Sequence, residues 1–426
     1  MVKLSFRSLL EWVIALLVLL YLGSMVLLPD LYNVAPAFLL LIALFGFRYS
    51  KVVHALDSKD GFFISIFTGY FLCFVALSLW HGDGVSSLDR PSRFFAAAVI
   101  LTFLLRTRFV PLAMFAGAAI GGIGAGGFAI YQAFFNGASR VTSFDNSIYF
   151  GYGALALALV AFCGLVYGLH GRTLRRPWLV LFASGAAGAL LALLLSGTRG
   201  GWLALPIPVL VFAWAYRRYI LGRPRVLMAF LGVLVIFFGS ALSLDSVWKR
   251  VDVAVEETHE YFEMDKYKHT SVGARLEMWH AGWLMFSEHP LLGVGDDNFD
   301  PALQSLVDEG RVDGKILTFR HLHNQFVDHA AKGGLLALLA LLTVLLGPTI
   351  LFWRYMSSDA PLIRASATLG VSFALTFLVF NFTQGMFSRN IGVMMYVIVP
   401  LLAWTIIRQA EAGDRKTVSG SSGGTY

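Results

Sequence analysis

Apolar runs long enough to cross a bilayer recur between residues 8 and 407, and they leave few folds open. A membrane helix needs roughly 17–25 mostly apolar residues. Runs near 8–28, 33–47, 61–80, 94–105, 110–135, 148–169, 178–195, 202–216, 226–245, 324–353, 365–385 and 390–407 give twelve predicted spans, the fourth of them short. The apolar residues are continuous within each run rather than alternating, which favours a helical bundle over an outer-membrane barrel. Composition agrees. The chain is 57% hydrophobic and 14% charged, against about 45–50% and about 25% for a soluble domain. A soluble enzyme, a disordered protein and a disulfide scaffold are excluded. Cys73 and Cys163 lie inside apolar runs and read as small core residues. Gly117, Gly121, Gly122 and Gly126 give the fifth span the small-residue spacing that permits close helix packing.

The formal charge of +7, from 33 Lys and Arg against 26 Asp and Glu, would suggest nucleic acid in a soluble protein. Here the basic residues report topology instead. With a cytoplasmic N-terminus, nineteen of them fall in inner segments and five in short outer loops: Arg90, Arg93, Arg140, Arg199 and Arg389. By the positive-inside rule both termini are cytoplasmic. The expected organisation is helices 1–9 in residues 1–246, an outward-facing loop domain at 247–322, helices 10–12 in 323–410 and a cytoplasmic tail at 411–426. The last residues, 419–426, read as a flexible appendage. Within the loop, 252–266 is acidic and predicted helical. Residues 274–287 predict an amphipathic helix with Leu276, Trp279, Trp283 and Phe286 near one face. Those aromatics suggest a domain lying on the membrane interface. His289-Pro290 ends the helix, and Gly293 and Gly295 form a turn.

Cations placed outside against the topological preference need a reason. Arg199 sits in SGTRGGW, where glycines let backbone approach a ligand and a guanidinium at a helix start can bind an anion. An ordinary turn with a snorkelling arginine is the competing reading. Arg275 opens the loop helix, with Ser271 as a plausible N-cap. Arg140 and Arg389 are further anion-binding candidates, or else plain loop cations. His323-Asn324 opens the tenth span, where the positive helix end and nearby arginines favour the neutral imidazole that a general base requires. Asp328 and Lys332, spaced i,i+4, read as a structural ion pair. The adjacent Asp296 and Asp297 are a weak metal signal, and no metal site is assigned.

These motifs together resemble the O-antigen ligase/polymerase family of bacterial envelope enzymes. The resemblance rests on SGTRGGW, on SVGARLEMWHAGWLMFSEHPLLGVGDDNF, and on His323-Asn324 followed after nine residues by Gly334. Ala337 departs from the ligase signature, which carries Gly, Thr or Tyr there. The resemblance implies a GT-C-like, multi-pass inner-membrane glycosyltransferase of a Gram-negative bacterium, with its active site facing the periplasm. It implies inverting, metal-independent transfer of O-antigen polysaccharide from undecaprenyl diphosphate to the lipid A–core oligosaccharide, with no cofactor and no nucleic-acid partner. By match, His323 is the essential histidine and Arg199 and Arg275 hold the donor diphosphate. Arg140, Asn324, Arg389 and Trp279 are expected to contact substrate. An O-antigen polymerase or a protein O-glycosylating ligase would share the same reaction centre. A transporter would place its ionisable residues near mid-bilayer in broken helices, whereas the cations here cluster at the outer ends and in the loop.

Overall fold

The computed structural model describes residues 6–49, 53–172, 174–224, 271–319 and 321–421, with isolated positions between 228 and 261. Its regular elements are all helical among the described residues. They are α1 (Phe6–Ser24), α2 (Leu31–Gly46), α3 (Ser58–His81), α4 (Asp89–Arg106), α5 (Pro111–Ile130), α6 (Ser147–Gly171), α7 (Arg176–Ser196), α8 (Arg199–Ala204), α9 (Pro206–Ala215), α10 (Arg217–Leu221), α11 (Ser271–Glu288), α12 (Phe299–Asp308), α13 (Gln325–Trp353), α14 (Pro361–Thr383) and α15 (Asn390–Ser421).

Seven described helices are long and apolar enough to cross a membrane: α3, α5 with its extension to Phe135, α6, α7, α13, α14 and α15. α1, α2 and the α8–α9 pair are shorter apolar helices. α4 carries Asp89, Arg90, Arg93 and Arg106 in only 18 residues, which explains its weak signal in the sequence. The predicted eighth span is broken at Pro206, whose ring starts a fresh helix after α8. The predicted spans at 8–28, 33–47, 61–80, 94–105, 110–135, 148–169, 178–195, 202–216, 324–353, 365–385 and 390–407 thus all fall on helices. The run at 226–245 and the acidic stretch 252–266 lie outside the described residues except for isolated positions.

α15 is the central helix, with 94% of its most apolar stretch buried inside the protein. The glycines of α5 do what their spacing predicts. A Cβ at Gly117 or Gly121 would strike the α1 backbone, and one at Gly122 or Gly126 would strike α7 at Gly185 or Gly188. Backbone-to-backbone approach of this kind replaces the missing hydrophobic drive between helices in lipid.

The described part of the loop domain has its own small core. Ala274, Met278, Ala281 and Met285 of α11 pack with Phe299, Leu303 and Leu306 of α12, with Ile316, and with Leu322 and Ala331 at the start of α13. The buried stripe of α11 is small and flexible, while Trp283 on its aromatic face is exposed. The reason is close packing, because a Cβ on Gly282 would meet Leu322 and Val327. The connector after α11 docks on a kink in α13. Gly334 adopts φ 63° and ψ −155°, a conformation open essentially to glycine. The kink frees backbone groups, and Leu335 N–H donates to Pro290 O (2.8 Å) while Leu336 N–H donates to Leu291 O (3.3 Å). Val294 and Gly295 N–H donate in turn to Ala331 and Lys332 O. The fixed spacing from His323 to Gly334 is therefore one turn-and-kink unit that holds the loop domain to the bundle. Ala337 is buried beside Gly333, a packing position.

Candidate active site

The site is built at one end of the bundle, where the starts of α6, α8, α11 and α13 meet the end of α14. His323 immediately precedes α13. Asn324 caps that helix, its side-chain oxygen accepting from Phe326 and Val327 N–H. His323 itself is held at φ 49°, a left-handed conformation uncommon outside glycine. Its neighbours fix it there. Trp279 Nε1–H donates to Leu322 O (3.1 Å), and Leu322 N–H donates to the Asp328 carboxylate (3.3 Å). His323 N–H donates to His321 Nδ1 (3.3 Å).

The imidazole Nδ1–H of His323 donates to Gln384 Oε1 at 2.6 Å. An amide oxygen only accepts, so Nδ1 carries the proton and Nε2 keeps its lone pair. Burial pushes the pKa of His323 below the ordinary histidine value. The Gln384 hydrogen bond and the Asp328 charge act the other way, and the Arg275 and Arg389 charges push it further down. His321, stacked edge-on at 4.2 Å, is pushed down to about 4, first by burial and then by His323. Both rings are neutral at neutral pH.

The arginine turn joins the site through α14. Thr198 precedes α8, its hydroxyl donating to Ser147 O (2.8 Å) and accepting from Ser196 (2.8 Å). Gly197 takes φ 62° to close the turn. Gly200 is packed against the hydroxyls of Tyr152 and Thr383, which share a hydrogen bond of 2.5 Å. Any Cβ at Gly200 would collide with both. Thr383 is followed directly by Gln384, the partner of His323. Arg199 is exposed at the start of α8, and Arg140 Nε–H donates to Ser196 O (3.4 Å) in the same turn. Arg275 acts electrostatically on both Tyr152 and His323, and Arg389 acts on Tyr149 and His323. Tyr149 donates to Gly385 O (3.0 Å). Gln325 accepts from Phe387 N–H (2.6 Å) and ties the turn before Arg389 to α13.

Chain segments far apart in sequence thus bring Arg275 and Arg389 to His323, and Arg140 and Arg199 to the turn that α14 joins to it. Among the described residues Arg275 and Arg389 form no ion pair. A cationic rim around a neutral histidine with a free Nε2 is suited to an anionic ligand presented beside a proton donor. Two expected substrate contacts also have local duties. Asn324 uses its oxygen as a helix cap, and the Trp279 N–H is used on Leu322. Gln384, Tyr149, Tyr152 and Thr383 were not singled out by the sequence. The nearest signal for Gln384 was Arg389, five residues on in the same outer turn.

The i,i+4 pair of Asp328 and Lys332 is present at 3.7 Å, but the lysine lies closer to Asp296, at 2.9 Å. Asp297 accepts from Gly84 N–H (2.6 Å), and Asp83 accepts from the backbone of both Asp296 and Asp297. These aspartates lock the loop domain to the end of α3. At the opposite end of the bundle the side chains of His54, Asp57 and Asp60 lie close enough together for a metal ion. There Arg408 occupies the space between them, paired with Asp57, Asp60 and Glu411.

Comparison with known proteins bears on this geometry. Residues 184–342, from α7 to the kink of α13, match the family model described as O-antigen ligase. The match takes in Arg199, Arg275, His323 and Gly334. An uncharacterised protein of Haemophilus influenzae is 26% identical over 396 residues, covering 91% of this chain and 96% of that protein.

Proposed function

We propose that the chain, whose residues 184–342 match the O-antigen ligase family model, is an O-antigen ligase. It transfers O-antigen polysaccharide from undecaprenyl diphosphate to the lipid A–core oligosaccharide at the periplasmic face of a Gram-negative inner membrane. The family match supports ligase- or polymerase-type glycan transfer in general. The arrangement is GT-C-like, with twelve spans, cytoplasmic termini, a periplasmic loop domain at 247–322 and a tail at 411–426. The observation that carries the reading is the neutral His323, its Nδ1 held by Gln384, beside Arg275 and Arg389, which have no ion-pair partner among the described residues.

Glycan transfer requires three things at one point. The leaving diphosphate gains negative charge as the anomeric carbon–oxygen bond breaks, and positioned guanidiniums stabilise that charge. Arg199 and Arg275 take this role, with Arg140 and Arg389 on the rim. An acceptor sugar hydroxyl attacks the anomeric carbon from the face opposite the diphosphate, so configuration inverts. Its proton passes to His323 Nε2 as the new carbon–oxygen bond forms, and the electron pair of the old bond from the anomeric carbon to the diphosphate oxygen leaves on the diphosphate. A general base contributes about 10²–10⁴-fold. In this reading the arginines supply the charge that a metal would otherwise supply, and activity persists in EDTA. Abolition by EDTA with recovery on adding a divalent ion would overturn that part.

The test is transfer by purified protein in detergent from undecaprenyl-diphosphate glycan, with lipid A–core and a second copy of the lipid-linked glycan as competing acceptors. The ligase reading expects product on lipid A–core. Chain extension on the second carrier would make the protein a polymerase, and no transfer to either would return transport to consideration.

A further inference from the structure

At the end of the bundle away from His323 the structure holds a cavity that glycan transfer does not use. It lies between α6, α7, α9 and α10, has a volume of about 370 Å³, and is walled by apolar side chains such as Leu159, Leu190 and Phe212. Phe162 and Leu169, on its lining, are exposed on the outer face of the bundle. α6 has 25 residues, so its last turn is about 37 Å from the turn at Ser147 that supports the active site.

One end of the cavity is polar. His170, Tyr216 and Tyr219 line it, with the His170 ring 5.5 Å from Tyr216 and 5.2 Å from Tyr219. Tyr216 is only 5% exposed. Its hydroxyl and His170 Nδ1 are both buried and have no hydrogen-bond partner among the described residues. A buried polar group left without a partner is costly, so two in one cavity wall need a reason. Two guanidiniums surround them. Arg364 lies 5.9 Å from the Tyr216 ring, Arg223 lies 3.9 Å from the Tyr219 ring, and the charges of both reach His170.

We propose that this cavity binds an anionic phospholipid of the cytoplasmic leaflet. One acyl chain lies along the apolar walls. The phosphate and ester oxygens accept from the Tyr216 hydroxyl, from His170 Nδ1–H and from Arg223 and Arg364. The polyprenyl tail of a glycan donor does not fit these observations. Its diphosphate and glycan belong at the distant His323 end, and the hydrocarbon tail would leave Tyr216 and His170 unsatisfied. The orientation of this end follows the positive-inside rule, since Arg172, Arg175, Arg176, Arg217 and Arg218 border it.

The test uses the full-length protein in detergent with three probes: phosphatidylglycerol, phosphatidylcholine and undecaprenyl phosphate. Binding is read by native mass spectrometry and by the shift in thermal unfolding. Phosphatidylglycerol should be retained and should raise the unfolding temperature, with phosphatidylcholine retained far less. Ala213→Trp, which fills the cavity, should abolish the effect. Arg223→Ala, at an exposed position, should weaken phosphatidylglycerol binding about tenfold, the loss of one charge-assisted hydrogen bond, and it decides the matter even if Ala213→Trp does not fold. Equal retention of phosphatidylcholine, displacement by undecaprenyl phosphate, or unchanged binding in Arg223→Ala would each overturn the proposal.

Discussion

Two clusters of arginine and histidine sit at opposite ends of this bundle, and they are built on opposite principles. Around Arg408 every charge is answered. The fully buried guanidinium meets Asp57, Asp60 and Glu411; Trp404 donates to Asp60 at 2.9 Å; and His54 joins the same carboxylate at 2.6 Å. Around His323, exposed Arg389 and half-buried Arg275 have no ion-pair partner among the described residues. A compensated cluster cross-links α3, the end of α13 and α15. A cluster with uncompensated cations is held in place by the rest of the fold and has binding capacity left over. The difference teaches that residue type alone does not mark a site; the balance of partners does.

Removing the centre of each cluster should separate the two principles. The largest effect is expected for Arg408→Leu. It strands three carboxylates, and breaking a buried ion pair costs about 3–5 kcal/mol. The variant should unfold at much lower temperature or fail to accumulate. Near-normal melting in detergent would mean that this cluster is not structural. Arg275→Ala should leave melting unchanged but reduce transfer by about 10–100-fold, since a charge-assisted hydrogen bond is worth about 1.5–3 kcal/mol. Lysine at that position should rescue poorly, because the bidentate geometry is lost. Full activity in the lysine variant would argue for a simple field effect instead.

Smaller changes sharpen the role of the histidine. As a base, His323 works only when neutral, so the rate should fall as pH drops through its lowered pKa, below the ordinary histidine value of about 6.5. Gln384→Glu places a carboxylate on Nδ1–H, which favours the imidazolium. The acid limb of the pH–rate profile should move to higher pH, and a limb that stays in place would mean that Gln384 does not hold the ring. Arg389→Gln removes one of the positive charges that keep His323 neutral. It should shift the same limb upward by a smaller amount, read from the same profile, and a downward shift would contradict the geometry.

The bundle was largely legible because continuous apolar runs and bilayer thickness leave little freedom. The candidate site was legible where a residue broke a local rule. Arg199 and Arg389 stood out as cations on the wrong side, and His323 as a titratable group at a helix start. Gln384 was silent because a glutamine at the end of a membrane helix breaks no rule; its role exists only through the contact between α14 and the residue before α13. The kink at Gly334 was equally hidden, since one glycine in a long apolar run reads as packing. The buried stripe of α11 was hidden for a related reason. Periodicity finds a stripe, but the close approach at Gly282 decides which stripe is buried.

In the proposed reaction His323 takes a proton beside an anion held by arginines. The most direct measurement compares wild type and His323→Ala for two quantities in the same detergent preparation: binding of the undecaprenyl-diphosphate glycan, and its transfer to lipid A–core. The variant should bind the donor as wild type does and transfer it about 10²–10⁴-fold more slowly. Transfer at the wild-type rate would remove the base from the mechanism, and with it the reason for assigning chemistry to this end of the bundle.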